Sequence, residues 1–198
     1  HRDLHKEYRR QRQMCIRDRY IAAKYLVKTP ILFIILSIGI LEGITAGSID
    51  VLINNASAIS LFNSESLPMK RFDLMYDINV RGTYLCSKTC LPYLKKSYNP
   101  HILNLSPPIN IKSKWFENFT AYTTSKYAMS MFIIGMSSEY KKYNIAVNSL
   151  WTKTAINTSA ISMLGGIVTP EQCRKPEIVS DAANIILSKK SSKVFKFI

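Results

Sequence analysis

The chain has 198 residues, a length expected of one domain with a real hydrophobic core, and its 47% content of hydrophobic residues is ordinary for a globular protein. The charge is less ordinary, because 27 Lys and Arg against 13 Asp and Glu give a formal net charge of +14. Such an excess favours anionic partners such as nucleic acid, anionic lipid or a phosphorylated cofactor. A solvated basic surface is the simpler explanation.

The sequence argues against a membrane-spanning protein and against a metal-binding protein. The run from Ile31 to Leu41 is apolar but falls short of the ~20 residues needed to span a bilayer. The four cysteines form no Cys-x-x-Cys pair and have no nearby histidine, so we expect no metal site. They are expected to be free thiols in a reducing, intracellular compartment. These cysteines are Cys15, Cys86, Cys90 and Cys173.

Residues 1–45 carry no clear strand and helix pattern. Residues 1–30 hold nine Lys and Arg and three Asp and Glu, which makes this part strongly basic. The apolar run that follows suits a strand or a short helix equally well. No glycine-rich phosphate loop occurs before residue 49.

From Ser48 onwards, short apolar runs alternate with helical patterns. The runs Asp50 to Asn54 and His101 to Leu105 predict buried parallel strands. Between them, Pro68 marks the start of a helix that runs to about Lys95, with Pro92 kinking or ending it. Its predicted core stripe consists of Phe72, Met75, Ile78, Gly82, Leu85, Thr89 and Tyr93.

The segment from Thr120 to Tyr140 predicts an amphipathic, buried helix, with Thr120 as its N-cap. A third strand, a polar loop, another helix and a last strand follow, at residues 145–150, 151–169, 176–187 and 194–198. Alternating strands and helices predict an α/β fold with a doubly wound parallel sheet. Ligands of such sheets bind beyond the carboxyl ends of the strands.

Tyr122 and Lys126 are four residues apart, so they share one face of the predicted helix. A tyrosine has a pKa of ~10, and a desolvated lysine one turn away can lower it towards neutrality. The spacing alone does not single out this pair. The same Tyr-x-x-x-Lys spacing occurs at Tyr20/Lys24 and Tyr84/Lys88.

An ordered set of motifs decides between the three pairs. They are NNAS at 54–57, NVRG at 79–82, HILNLS at 101–106, YTTSK at 122–126 and AVNSLW at 146–151. In this order and spacing they resemble the short-chain dehydrogenase/reductase family over about residues 49–198. The segments NNASAISL, HILNLSPP and SLWTKTAI resemble its hydroxysteroid dehydrogenase-like members.

The resemblance implies a Rossmann-like fold and hydride transfer between NADP, or NAD, and an apolar, lipid- or steroid-like carbonyl or alcohol. It implies Tyr122 as the general acid/base, Lys126 as the group that lowers its pKa and binds the nicotinamide ribose, and Asn79 as the residue that positions a water in the proton relay. The implied cofactor contacts are Asn54, Asn55, Ala56, Ser57, Tyr122, Lys126, Trp151 and Thr154. The resemblance alone suggests lipid metabolism in a peroxisome or mitochondrion.

The chain departs from the family pattern at the catalytic serine, at two turns near the expected nicotinamide site and at the phosphate loop. Pro107 stands at the position of the family's catalytic serine, so Ser106 next to it is the substitute candidate. Ser57 replaces a glycine, and Thr152-Lys153 replace a Pro-Gly pair. The family's Thr-Gly-x-x-x-Gly-x-Gly loop is not found before residue 49. We therefore expect an N-terminally incomplete domain over residues 46–198, and our hypothesis is that the preceding non-homologous segment, residues 1–45, is an artefact.

Two other functions fit the same sequence. One is a catalytically inactive remnant of the fold that acts at most as a binding protein. The other is a basic protein that binds nucleic acid or a membrane surface through residues 1–30. Our preferred prediction includes neither nucleic acid nor a membrane span, and it allows a homo-oligomer through helices 69–95 and 120–141. The predicted loop has four apolar residues suited to a substrate pocket, namely Ile156, Ile161, Met163 and Leu164.

Overall fold

The computed structural model describes residues 47–158, 161 and 168–194. Three strands are β1 (Val51–Asn54), β2 (His101–Leu105) and β3 (Ala146–Leu150). The α-helices of these described residues are α1 (Met69–Met75), α2 (Thr83–Leu94), α3 (Thr120–Tyr140) and α4 (Glu177–Leu187). Short 3₁₀ turns span Ser113–Trp115, Lys141–Tyr143, Pro170–Gln172 and Ser191–Lys193. The predictions for residues 1–45 lie outside the described residues, as does the last predicted strand except for Val194, which is not in a strand.

The described strands form a parallel sheet in the order β1-β2-β3. Helices α2 and α3 pack on one face, where Leu94 and Ile133 meet Ile102 of the sheet. Helix α4 packs on the other face through Leu187, which meets Leu103. These contacts confirm the predicted Rossmann-like sheet with helices on both sides, and each strand begins within one residue of its predicted position.

The helix predicted from Pro68 to about Lys95 is present, but it is not α-helical throughout. A π-helical segment, Tyr76–Gly82, joins α1 to α2. Pro92 lies inside α2, which continues to Leu94, so Pro92 does not end the helix. Proline has no N–H to give to the carbonyl four residues earlier, that of Lys88, and both residues are exposed, so water can satisfy that carbonyl.

The core stripe predicted for this helix is wrong in its second half. Leu85 is 54% exposed and Thr89 is also exposed. A π-helix closes its hydrogen bonds over five residues rather than four, so the turn at 76–82 shifts which residues face the sheet. Polar side chains occupy much of the buried face because they find hydrogen-bond partners there. That face consists of Met75, Asn79, Thr83, Ser87, Cys90 and Leu94.

Helix α3 has the predicted bounds and the predicted buried side, with Met129, Ile133 and Met136 in the core. The prediction of Thr120 as its N-cap is wrong. Phe119 occupies the N-cap position and makes no side-chain capping bond. The Thr120 hydroxyl instead donates to the carbonyl of Phe116 at 3.0 Å, which ties the helix to the preceding turn.

The buried histidine at the start of β2 is expected to make the fold less stable in mild acid. His101 is fully buried, with Nε2 3.0 Å from the Lys189 carbonyl and no partner for Nδ1 among the described residues. Burial lowers the pKa of His101, so the unfolded state takes up a proton first as pH falls through ~6.5. We therefore expect the free energy of unfolding to fall between pH 7 and pH 5. In His101→Gln, whose amide can still donate to the Lys189 carbonyl, urea titrations should show a smaller fall; an equal fall would assign the acid sensitivity to other groups.

Candidate active site

Lys126 connects α3 to the carboxyl ends of two strands. Its ammonium donates to the Leu105 carbonyl at 2.7 Å and lies 5.5 Å from the centre of the Trp151 ring. The side chain is 4% exposed, and burial lowers its pKa to about 8. A lysine with such a pKa is poised between its charged and neutral forms near physiological pH, which is typical of functional sites.

Tyr122 lies one turn before Lys126 on α3 and is half-buried. Burial raises the pKa of Tyr122, so the expected lowering by Lys126 is not found in this structure. The physical reason is that the ammonium is directed to the Leu105 carbonyl and the Trp151 ring, which leaves burial as the dominant effect on the phenol. A phenol with a raised pKa is protonated at neutral pH and can act as a proton donor.

Asn79 lies in the π-helical segment and is fully buried. Its Oδ1 accepts the Ala58 N–H at 2.8 Å, and its Nδ2 donates to the Ala58 carbonyl at 2.9 Å and to Ser125 Oγ at 3.0 Å. Ser125 in turn donates to the carbonyl of Tyr122 at 2.8 Å. Asn79 therefore joins the loop after β1 to the turn of α3 that carries Tyr122. Its predicted role in positioning a water stays a prediction.

Removal of this amide should cost more stability than removal of an exposed one. Asn79→Ala would leave the backbone N–H and C=O of buried Ala58 without partners, and we expect a loss of ~2 to 4 kcal/mol in the free energy of unfolding. Asn63→Ala is the control, because the exposed Asn63 also caps a backbone N–H, that of Ser66. Its cost should stay near ~1 kcal/mol or below. If urea denaturation showed equal losses in the free energy of unfolding for both variants, the Asn79 bonds would stabilise the fold no more than those of an exposed amide.

The predicted cofactor contacts after β1 differ in how accessible they are. Asn54 is buried, and its Nδ2 is already bonded to Asn104 Oδ1 at 2.7 Å and to Ser87 Oγ at 3.1 Å. Asn55 is exposed, whereas Ala56 and Ser57 are partly exposed. Any contact of Asn54 with a cofactor is left to its remaining oxygen and its backbone.

Ser106 does not face an open site. It is fully buried, and its hydroxyl has no partner among the described residues. Side chains alternate along an extended chain, which turns Ser106 inward beside Pro107. The hydroxyl reaches no open space in this structure, and the candidate role of Ser106 stays a prediction. Sequence patterns do not identify Ser130, whose hydroxyl donates to the Pro107 carbonyl at 2.6 Å and holds this bend.

A cleft of ≈ 450 Å³ opens at the end of β3 and against α4. It contains two predicted cofactor contacts, Trp151 and Thr154, and two cations that the sequence did not single out, Lys153 and Arg174. Arg174 is anchored through its backbone, which donates to the Ala155 carbonyl at 2.9 Å. The other residues that line the cleft are Leu150, Thr152, Ile178, Val179 and Ala182. The cleft therefore combines apolar side chains with two cations.

The remaining predicted pocket and site residues are placed only in part. Ile156 is partly buried and bridges to Arg174, and Ile161 is partly buried. Met163 and Leu164 lie outside the described residues.

Among the residues that the structure describes, no group of three or more His, Cys, Asp or Glu could hold a metal ion. Over the same residues, no helix has the length and apolar character of a membrane span.

Comparison with known proteins gives concordant matches. A family model described as short chain dehydrogenase matches residues 39–163. The hydroxysteroid dehydrogenase-like protein 2 of Xenopus tropicalis is 62% identical over 145 residues, which cover 73% of this chain and 34% of that protein. The human protein of the same name is 55% identical over 152 residues, covering 77% and 36%. The chain thus spans about a third of the length of these relatives.

Solved structures agree with the family model. A putative dehydrogenase from Xanthomonas campestris has a TM-score of 0.74 and 42% identity, with coverage of 81% of this chain and 57% of that chain. A 7 alpha-hydroxysteroid dehydrogenase, solved with NADH and 7-oxo glycochenodeoxycholic acid, has a TM-score of 0.66 and 26% identity, with coverage of 81% and 65%. The predicted resemblance is confirmed, and the chain belongs to the short-chain dehydrogenase family.

Proposed function

We propose that this chain carries the acid/base centre of an NADP- or NAD-dependent oxidoreductase that acts on an apolar, lipid- or steroid-like carbonyl or alcohol. The observation that carries the proposal is the buried Lys126, held between the ends of β2 and β3 one turn from Tyr122. Burying an ammonium is costly, so its retention here favours a chemical role over a structural one.

In carbonyl reduction, the nicotinamide cofactor supplies a hydride to the carbonyl carbon when bound. Tyr122 donates its phenolic proton to the oxygen that becomes negative, and accepts that proton back in alcohol oxidation. Lys126 lies one helical turn away, and it stabilises the resulting phenolate when its ammonium turns from the Leu105 carbonyl towards Tyr122. Asn79 and Ser125 hold this turn in position through the bonds to Ala58 and to the Tyr122 carbonyl.

The cleft beside β3 suits the proposed cofactor and substrate. Lys153, Arg174 and the hydroxyls of Thr152 and Thr154 provide positive charge and donors for phosphate groups. The same cleft offers apolar side chains for a lipid-like substrate, namely Leu150, Trp151, Ile178, Val179 and Ala182. The 7 alpha-hydroxysteroid dehydrogenase solved with NADH supports a nicotinamide cofactor and does not choose between NAD and NADP.

The proposal extends to assembly and location. Helices 69–95 and 120–141 expose apolar side chains on neighbouring surfaces, where the Tyr84 and Phe132 rings lie 5.4 Å apart, and this supports a homo-oligomer through these helices. These exposed residues are Leu74, Tyr84, Leu85, Met131 and Ile134.

The resemblance to hydroxysteroid dehydrogenase-like proteins remains the basis for proposing a peroxisomal or mitochondrial location.

A catalytically inactive remnant that acts at most as a binding protein is the second candidate. The absence of a glycine-rich phosphate loop before residue 49 favours it, because such a loop anchors the pyrophosphate of the cofactor in this type of fold.

Calorimetric titration with NADPH and with NADH separates the two candidates. The oxidoreductase predicts saturable binding that weakens in the double variant Lys153→Gln/Arg174→Gln and persists in Lys112→Gln, which removes an exposed charge outside the cleft. No binding at millimolar concentrations of either cofactor would leave only the remnant.

A further inference from the structure

Among the described residues, three long helices each end in a pair of lysines at the same end of the molecule. Lys95 and Lys96 follow α2, Lys141 and Lys142 follow α3, and Lys189 and Lys190 follow α4. In a parallel α/β fold the helices run opposite to the strands, so these helix ends meet at the amino edge of the sheet. We call this surface of six lysines the basic end.

Contacts between the helix ends make the basic end one continuous surface. The Lys95 ammonium lies 3.8 Å from the centre of the Tyr143 ring, which links the ends of α2 and α3. Asn99 donates to the Lys189 carbonyl at 3.2 Å and accepts the Ser191 N–H at 2.7 Å, which links the segment after α2 to the end of α4.

The basic end presents its cations at the surface of the molecule. All six lysines are exposed. A hydrogen bond from Lys95, together with the charges of Lys142 and Lys95, lowers the pKa of the Tyr143 phenol. A lysine at a helix C-terminus also complements the helix dipole, and this accounts for single cations but not for the pairing at every helix end.

Aromatic side chains lie among the lysines and help to identify the partner. Tyr98 is 86% exposed, and the rings of Tyr93 and Tyr143 lie beneath the ammonium groups of Lys96 and Lys95 at 5.7 and 3.8 Å. Rings covered in this way are poorly placed to stack on bases, and none of the six cations is an arginine, the residue that reads guanine most often. Lysines with interfacial tyrosines instead suit the head-group region of an anionic membrane.

We propose that the basic end is a docking surface for a bilayer that contains anionic lipid. The surface lies at the opposite edge of the sheet from Tyr122 and Lys126. The docked protein therefore presents its candidate active site to the aqueous side, and its substrate reaches that site from solution.

Vesicle co-sedimentation tests this proposal with the full chain and no cofactor, so its outcome is independent of catalysis. The chain should sediment with vesicles that contain phosphatidylserine and not with pure phosphatidylcholine. The triple variant Lys95→Gln/Lys96→Gln/Lys142→Gln should bind at least ~10-fold more weakly, because each lysine near a charged bilayer contributes to attraction. Added salt should weaken binding of the unaltered chain.

The matched control is Lys70→Gln/Arg71→Gln/Lys112→Gln, which removes the same charge from exposed positions at the other end of the molecule. All three proteins keep the basic residues 1–30, so differences among them report on the altered surfaces. Binding of the control within about twofold of the unaltered chain supports the docking surface. Equal loss in both variants, unchanged binding in the first, or basic-end-dependent binding to duplex DNA without vesicle binding would overturn it.

Discussion

Replacement of Tyr122 by phenylalanine is expected to lower turnover by ~10³-fold, within the range that a positioned general acid contributes. The phenylalanine ring fills the same space, and the described residues supply the Tyr122 hydroxyl with no hydrogen bond that the change would break. The free energy of unfolding should therefore change by less than ~1 kcal/mol. The measurement pairs steady-state rates on a carbonyl substrate with urea denaturation of the same preparation.

A second tyrosine provides the matched control. Tyr84 and Lys88 repeat the Tyr-x-x-x-Lys spacing, but Tyr84 is 47% exposed on α2 and its ring packs beside Phe132 at 5.4 Å. Tyr84→Phe should leave turnover unchanged. Activity retained in Tyr122→Phe would place the chemistry elsewhere, and equal losses in both variants would indicate a general effect of losing a phenol.

The strands and α3 could be predicted because their sequences permit few alternatives. The apolar runs at 51–54, 101–105 and 146–150 are short and bounded by polar or turn residues, which suits strands buried inside a parallel sheet. The apolar spacing along α3 places Met129, Ile133 and Met136 on one side, and the structure buries all three. In these elements, local pattern and tertiary packing agree.

The helix before β2 could not be predicted in the same detail, because its pattern and its packing disagree. A regular α-helical period places Leu85 in the core, whereas the π-helical segment brings Asn79 and Ser87 to the sheet instead. These polar residues are tolerated because partners more than twenty residues away in sequence, Ala58 and Asn54, bond to them. Such distant pairing leaves no local signature.

In the candidate site, too, residue spacing predicts which side chains share a helix face but not what surrounds them. Spacing identifies Tyr122 and Lys126 as a pair on one helix face, since that depends only on helix geometry. It does not reveal that Lys126 turns to the Leu105 carbonyl, that Ser106 is buried, or that Arg174 joins the cleft. Each of these three features depends on contacts between segments that are far apart in the sequence.

Replacement of Lys126 by methionine is expected to stabilise the fold while it lowers activity. Burial lowers the pKa of Lys126 to about 8 from an ordinary value of ~10.4, which corresponds to ~3 kcal/mol of cost for the charged form. The loss of its bond to Leu105 offsets ~2 kcal/mol of that cost, because the donor is a charged group. We therefore expect a net gain of ~1 kcal/mol in the free energy of unfolding at pH 7, together with a loss of turnover of at least ~10²-fold.

The pH dependence of this gain follows from the same two pKa values. Below pH ~8 the lysine is charged in both the folded and unfolded states, so the unaltered chain bears the full cost of burial. Between pH ~8 and ~10 the folded state loses its proton first, the unaltered chain gains stability, and the advantage of Lys126→Met shrinks. Lys88→Met, an exposed lysine on α2, should show neither effect. Destabilisation of Lys126→Met at pH 7 would mean that the ammonium holds β2 and β3 together, and that its retention reflects structure more than chemistry.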